Sequence, residues 1–317
     1  MLKHKAISDS NFTGLKNQST SEPIAIITSS INTANNYNKE IWVASFDISK
    51  AFDSVNLSSF NKAMKRIKLP TKIISLVLNL LNERELKLIT YYKLSDPLKV
   101  SKGLDQGETL SPLLWTIFYD PMITKITTKY STTSKILAYM DDVALFSSNM
   151  QSLQEATNTF CSFLLLNSIK CNQKKTELIT NLSTSNQKRD QFLTVEGEKI
   201  FAKPLKEGIR YLGVYLSGKS SSTSTKNKLL EKVQKFTNAI ASQKGWNGLI
   251  TKQASHWIIP AQLDYAINAS IPSDREITVL QRKMNRPIKA KLGVERTISN
   301  KILHSQAGLN TVKLQNR

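Results

Sequence analysis

Cysteine is nearly missing from this sequence: Cys161 and Cys171 are the only two in 317 residues. Two thiols cannot build a disulfide framework, and no histidine cluster stands near them to complete a zinc site. Both therefore read as reduced thiols. Long apolar runs are missing too. The longest near-miss, Ile73 to Leu81, is broken by Ser75 and Asn79, far short of the ~18 residues that span a bilayer. The opening Met1-Leu2-Lys3-His4-Lys5 is not followed by an apolar signal core. These absences point to a soluble intracellular chain, nuclear or cytoplasmic, with neither signal peptide nor transmembrane segment. Nothing recurs at a fixed period, which argues against a solenoid.

Positive charge is what the sequence has in excess. Lys and Arg number 44 against 24 Asp and Glu, a net charge of +20. Such a balance favours a polyanionic partner, either nucleic acid or an anionic membrane face. No helical pattern sets a lysine face opposite one rich in Trp or Phe, so no membrane partner is expected. The excess is uneven. Ser222 to Arg317 holds 16 basic and 5 acidic residues, a net of +11, where an even spread would leave about +6. Apolar residues recur there at helical spacing: Leu229, Leu230, Val233, Phe236 and Ile240, then Trp257, Ile258, Leu263 and Tyr265, then Ile277, Leu280, Met284 and Ile288. A charged helix face is often only a solvated one, so this region by itself defines no site.

The 40% hydrophobic content suffices for a sizeable core, and the length suggests about two folding units. Ahead of the basic region, strand and helix signals alternate. Ile41 to Ile48 reads as a strand, Asn56 to Ile67 and Thr71 to Asn82 as helices parted by Pro70, and Leu86 to Leu94 as a strand. Ser111-Pro112 has the cap and first-turn proline of a helix running to about Lys129 despite Pro121. Ile136 to Met140 and Val143 to Phe146 are short strands, Leu153 to Leu166 a helix, and Phe192 to Phe201 a hairpin turning at Gly197. Asn181 to Asp190 reads as a surface loop and Ser217 to Thr225 as a linker. The fold class is α+β, followed by a helical tail.

Two features carry chemistry. Tyr139-Met140-Asp141-Asp142 lies between strand-like segments, which puts the aspartates in a hairpin turn. Asp suits turn geometry, so the pair alone is compatible with a plain turn. Asp47 stands at the end of the Ile41 to Ile48 strand, where burial would be costly unless a cation or hydrogen bonds offset it. If that strand lies beside the hairpin, Asp47, Asp141 and Asp142 converge. Three such carboxylates repel one another unless divalent ions intervene. Two ions ~3.5–4 Å apart are a known use of such a cluster in phosphoryl transfer, and oxygen ligands favour magnesium.

Taken in order, five segments resemble the motifs of reverse transcriptases. They are Asp47 with Ala51-Phe52, then Gln106-Gly107 followed by Leu110-Ser111-Pro112-Leu113-Leu114, then Tyr139-Met140-Asp141-Asp142. Ile169 to Glu177, with Lys174-Lys175, looks like the family's lysine-bearing loop, and Tyr211-Leu212-Gly213-Val214-Tyr215-Leu216 like its primer-grip hairpin. The style is similar to non-LTR retrotransposons and their fungal relatives. The likeness runs from about residue 14 to 216, and more loosely through the tail.

The resemblance implies a right-hand polymerase: partial fingers over 1–40, a palm over 41–220 with a fingers insertion about 56–105, and a basic helical thumb-like region over 221–317. It implies an RNA-directed DNA polymerase with two Mg²⁺ ions (Mn²⁺ possible) on Asp47, Asp141 and Asp142. Its partners would be an RNA template, a DNA primer and dNTPs. Phe52 would lie under the sugar and exclude a 2′-hydroxyl, unless it is simply a core aromatic. Gln106 and Gly107 would line the nucleotide pocket, with Gly107 allowing close backbone approach. Lys175 would be a general acid for pyrophosphate, or else a solvated loop lysine. Tyr211, Leu212 and Gly213 would form the primer grip. Asp53 reads as a cap for the next helix. Departures are Asn167-Ser168 where the family usually carries glycine, and Asp105 where proline often precedes Gln-Gly. Upstream fingers segments look absent, as in an N-terminally truncated domain. The alternative is a catalytically inactive, nucleic-acid-binding remnant of such an enzyme.

Overall fold

The computed structural model describes residues 6–13, 19–183, 185–219, 221–242 and 274–307, together with Ile250 and Gln253. Two compact units divide the chain. The first comprises Met1–Pro23 and Ala34–Pro204, the second Ile24–Thr33 and Leu205–Arg317. Among the described residues no helix is long and apolar enough to cross a membrane.

Helix α1 (Ser21–Asn36) has residues in both units. The first unit continues with β1 (Trp42–Phe46), β2 (Ile48–Ser49), α2 (Leu57–Arg66), α3 (Thr71–Leu81), β3 (Arg84–Leu86) and β4 (Leu98–Val100). Next come α4 (Ser111–Lys129), β5 (Ser134–Tyr139), β6 (Asp142–Ser147) and α5 (Met150–Leu166). The unit closes with β7 (Lys170–Cys171), β8 (Glu177–Thr180), β9 (Phe192–Val195) and β10 (Glu198–Phe201).

Its centre is an antiparallel sheet in the order β5-β6-β1-β8. Strand β1 is buried at every position, which explains why it reads as a nearly continuous apolar run rather than an alternating one. Helices α4 and α5 pack against the β5–β6 hairpin and against each other. Helix α4 buries most of its circumference, including Trp115, Phe118 and Tyr119, so its pattern is apolar all round. One polar side chain is buried with it. Asp120, fully buried, pairs with Arg66 of α2 and accepts hydrogen bonds from the Ser8 amide (2.7 Å) and the Thr124 hydroxyl (3.1 Å). A buried carboxylate is tolerated only with such partners.

The N-terminal stretch lies along the outer edge of β5. Asn11 bridges Ala138 in parallel; the Phe12 amide donates to the Ala138 carbonyl (2.9 Å), and the Ala138 amide to that of Ser10 (3.0 Å). The Thr13 carbonyl accepts from the Thr116 hydroxyl at 3.0 Å.

Several expectations are corrected. Asp53 does not cap α2. It sits in a single 3₁₀ turn, Phe52–Ser54, and Asn56 is the cap, accepting from the amides of Ser58 (2.8 Å) and Ser59 (3.2 Å). Ser111 is the first residue of α4, not its cap, and its hydroxyl donates to the Asp105 carbonyl (2.6 Å). The strand expected over Leu86 to Leu94 is mostly an exposed hairpin arm: Arg84–Leu86 pairs with Leu98–Val100, and farther out a single antiparallel bridge joins Ile89 to Leu94. Apolar residues there imitate a strand without a sheet to join. The Phe192 to Phe201 hairpin forms as read, turning through Glu196 and Gly197, both at positive φ.

The second unit holds the hairpin β11 (Ile209–Tyr211) and β12 (Val214–Leu216), followed by α6 (Ser221–Ser242), α7 (Asp274–Lys291) and α8 (Asn300–Ala307). Helix α6 begins inside the stretch read as a linker, since Ser and Thr suit a helix's first turn as well as a loop. Helices α6 and α7 pack together, burying Leu229, Val233 and Ile240 on one and Leu280, Met284 and Ile288 on the other. The expected run through Trp257 to Tyr265 lies outside the described residues.

Candidate active site

Asp47 and the hairpin aspartates reach the same end of the sheet through its register. Antiparallel pairing of β1 with β6 ends at Phe46 opposite Val143. Asp47 follows Phe46 and Asp142, the first residue of β6 and paired with Tyr139, precedes Val143, so both acids stand at the same end of the sheet. Beyond Asp47 the chain changes partner: Ile48 pairs with Cys171, and the Asn172 amide donates to the Asp47 carbonyl at 2.8 Å. Asp141 occupies the β5–β6 turn beside Met140, whose φ is +56°. Two groups from elsewhere hold that turn. The Trp115 indole donates to the Met140 carbonyl (2.8 Å), and the Met140 amide donates to the Thr13 hydroxyl.

Asp47 is less buried than its place at the end of an apolar strand suggested. The Asp47 side chain is 36% exposed, and Asp141 and Asp142 face solvent. The nearest cation to Asp47 is the Lys175 ammonium at 3.4 Å, carried on the 3₁₀ turn Gln173–Lys175. Sequence reading left Lys175 between an acid and a solvated lysine; its position against Asp47 ties it to the site. Among the described residues no three His, Cys, Asp or Glu side chains are already gathered to hold a metal. As a donor set, three oxygen-bearing carboxylates at one sheet end fit a hard divalent ion.

A cavity of about 540 Å³ opens beside the turn. Phe52, Gln106, Gly107, Met140 and Asp141 line it, which joins three segments far apart in sequence. Phe52 also stacks on Trp115, with ring centres 5.3 Å apart, so it is both packed and cavity-facing. The Gln106 amide approaches the Asp53 carboxylate at 3.4 Å. At Gly107 the backbone conformation itself calls for glycine. A Cβ there would meet nothing within 4 Å; a φ of +92° is what calls for glycine. Lys50, also at positive φ, lines the same cavity and was not singled out in the sequence. Its place three residues past Asp47 was the available signal.

The Cys171 thiol lies 3.7 Å from the Asp47 carbonyl oxygen, and Cys161 is half-buried on α5. Burial raises Cys171 to about 11, with Glu196 and Asp47 adding to the rise and a Thr176 hydrogen bond opposing it. Burial also lifts Cys161 to about 12. Both stay protonated at neutral pH, as befits inert core thiols. Tyr211, Leu212 and Gly213 are in the second unit, where Leu212 and Gly213 form the two-residue turn of β11–β12 with φ of +46° and +80°.

An antiparallel sheet backed by two helices, with aspartates at one end beside a cavity, defines the palm of a right-hand polymerase. The solved structures agree. Telomerase from Candida tropicalis, in complex with a TWJ fragment of telomeric RNA, aligns with a TM-score of 0.52 at 15% identity, over 91% of this chain and 46% of that one. The family follows from sequence: residues 2–216 match the profile "Reverse transcriptase (RNA-dependent DNA polymerase)", and the chain belongs to that family. It is 25% identical over 188 residues to a Pol polyprotein from type-1 retrotransposable element R2 of Popillia japonica, covering 55% of this chain and 30% of that one. To the type-2 element R2DM of Drosophila melanogaster it is 24% identical over 142 residues, covering 43% of this chain and 13% of that one. The chain thus spans less than a third of these relatives. The fungal affinity expected from motif style is not carried by these matches.

Proposed function

We propose that this chain carries the nucleotidyl-transfer centre of an RNA-directed DNA polymerase. The supporting observation is the cavity, in which Phe52, Gln106, Gly107 and Asp141 meet at the sheet end that also bears Asp47 and Lys175. The cavity takes the incoming dNTP, paired to an RNA template. A DNA primer's 3′-oxygen bonds to the α-phosphorus, and pyrophosphate leaves. Phe52 bounds the sugar's 2′ side, Gln106 and Gly107 the base, and Lys50 offers a cation to the triphosphate. Lys175 donates a proton to the departing pyrophosphate. Two Mg²⁺ ions, or Mn²⁺, would be held by Asp47, Asp141 and Asp142, where they neutralise phosphate charge and acidify the primer hydroxyl. In this reading 41–220 is palm, 1–40 and about 56–105 are fingers, 221–317 is thumb, and Tyr211 to Gly213 grip the primer.

Primer extension on an RNA template with dNTPs and Mg²⁺ tests it. Wild type extends, and Asp141→Asn with Asp142→Asn lowers the rate roughly a thousand-fold or more while duplex binding persists. Extension undiminished in that variant removes the metal site from these residues. A non-catalytic, nucleic-acid-binding remnant is the second reading, favoured by the Lys175 ammonium already pairing with Asp47. It predicts salt-sensitive duplex binding by wild type with no extension in Mg²⁺ or Mn²⁺.

A further inference from the structure

The β3–β4 hairpin projects a surface that the nucleotide site does not use. At its tip Tyr91 and Tyr92 are 95% and 91% exposed, more open than most aromatic side chains in folded proteins. The tip is a built turn. The Thr90 amide donates to the Lys93 carbonyl (3.1 Å), and the Lys93 amide to the Thr90 hydroxyl (3.1 Å). Below it, Leu88 and Ser95 exchange two hydrogen bonds of 2.9 Å. The two rings meet edge to face at 5.2 Å, an arrangement that leaves a broad ring face open to solvent.

At the tip itself the charge is one-sided, with Glu85 and Asp96 just below it. No acidic residue lies between Leu86 and Ser95, whereas Lys87 and Lys93 do. Lys99 faces Glu85 across the strands, and Lys102 lies at the base. That base is fixed. Arg84 pairs with Asp105 and donates to the carbonyls of Leu81 (3.1 Å), Lys102 (3.0 Å) and Gly103 (2.8 Å). The next residues, Gln106 and Gly107, line the nucleotide cavity. A protein partner could cover the hairpin's apolar side chains but would leave the lysines without a role. Exposed rings interleaved with lysines are the pattern that stacks bases and neutralises phosphates along a single strand.

We propose that the Tyr91–Tyr92 hairpin is a binding site for single-stranded nucleic acid, holding an unpaired strand by stacking on the tyrosines and by phosphate contacts to Lys87 and Lys93. The proposal shares with the polymerase reading only the class of ligand, and its test requires no nucleotide incorporation. Fluorescence anisotropy of the full chain with labelled oligouridine or oligodeoxythymidine measures it. Tyr91→Ala with Tyr92→Ala weakens binding roughly ten-fold or more, while the paired Phe substitutions keep it within about two-fold. Lys87→Ser with Lys93→Ser flattens the log–log salt slope by about one. The RNA and DNA arms show which strand is preferred. Ultraviolet cross-linking of a 5-bromouridine oligonucleotide to wild type gives adducts in the tryptic segment Leu88–Lys93 and does not depend on any variant folding. Unchanged affinity in the alanine variant overturns the proposal. So do adducts confined elsewhere, or a variant whose only change is lost self-association.

Discussion

At the scale of single residues, Phe52 combines two jobs that sequence reading had set against each other. Its ring stacks on Trp115 in the core and also bounds the cavity. Phe52→Ala should therefore raise ribonucleotide incorporation relative to deoxyribonucleotide, measured by competitive primer extension. The lost stacking should also lower stability by roughly 2–4 kcal/mol, seen in thermal unfolding. A stability loss with unaltered sugar discrimination returns Phe52 to packing alone. Asp47, Asp141 and Phe52 were legible because each has a fixed place in a short run of neighbours. Lys50 and the side chains that hold the Met140 turn were not. Thr13 and Trp115 reach that turn from distant parts of the chain, and no local pattern announces a hydrogen bond made by folding. The exposure of Asp47 was also missed, because an apolar run gives no sign of where the sheet ends.

At the scale of elements, the passage from the 3₁₀ turn at Phe52 to the cavity segment depends on Gly103. Its φ is +88°, and a Cβ would come within 2.8 Å of the Asp53 carbonyl oxygen. Backbone, unlike a flexible side-chain end, cannot step aside cheaply. The Gly103 and Leu104 amides also donate to the carbonyls of Val55 (2.9 Å) and Phe52 (2.8 Å), tying the two segments together. Gly103→Ala should cost about 1–3 kcal/mol or more in denaturant unfolding, and should raise the KM for dNTP as Gln106 and Gly107 shift. A variant with wild-type stability would show that the loop yields without strain. Helices with clear periodicity, α2, α3 and α5, were legible nearly to their ends. The β3–β4 hairpin was not, because its apolar residues face solvent, and period alone cannot tell a buried face from an exposed one.

At the scale of the whole molecule, the net charge of +20 would set how the proposed nucleic-acid partner is held. The excess in the last third sits on helices α6 and α7 and their flanks. Arg282, Lys283 and Arg286 are exposed on α7, while Lys289 is buried, donating to the carbonyls of Arg296 (3.2 Å) and Ile298. A grip made through phosphates loses affinity steeply with salt and discriminates little between sequences. Duplex affinity should fall by roughly a hundred-fold or more between 50 and 200 mM salt, with near-equal values for unrelated sequences, both read by anisotropy. A shallow slope with strong sequence preference would contradict a phosphate grip. The α+β class and the basic helical tail were visible from patterning. The division after Pro204 was not, because no change in composition marks it.

The stretch along β5 also limits how the protein can be shortened. Residues 6–13 look dispensable by composition, yet they bridge the outermost strand at Ala138 and supply Thr13 to the turn that bears Asp141. A preparation trimmed past them would offer bare peptide groups to a neighbouring copy. Strand addition between such copies is the expected outcome, and a failure of the trimmed chain to extend a primer would then reflect the missing brace rather than the aspartates.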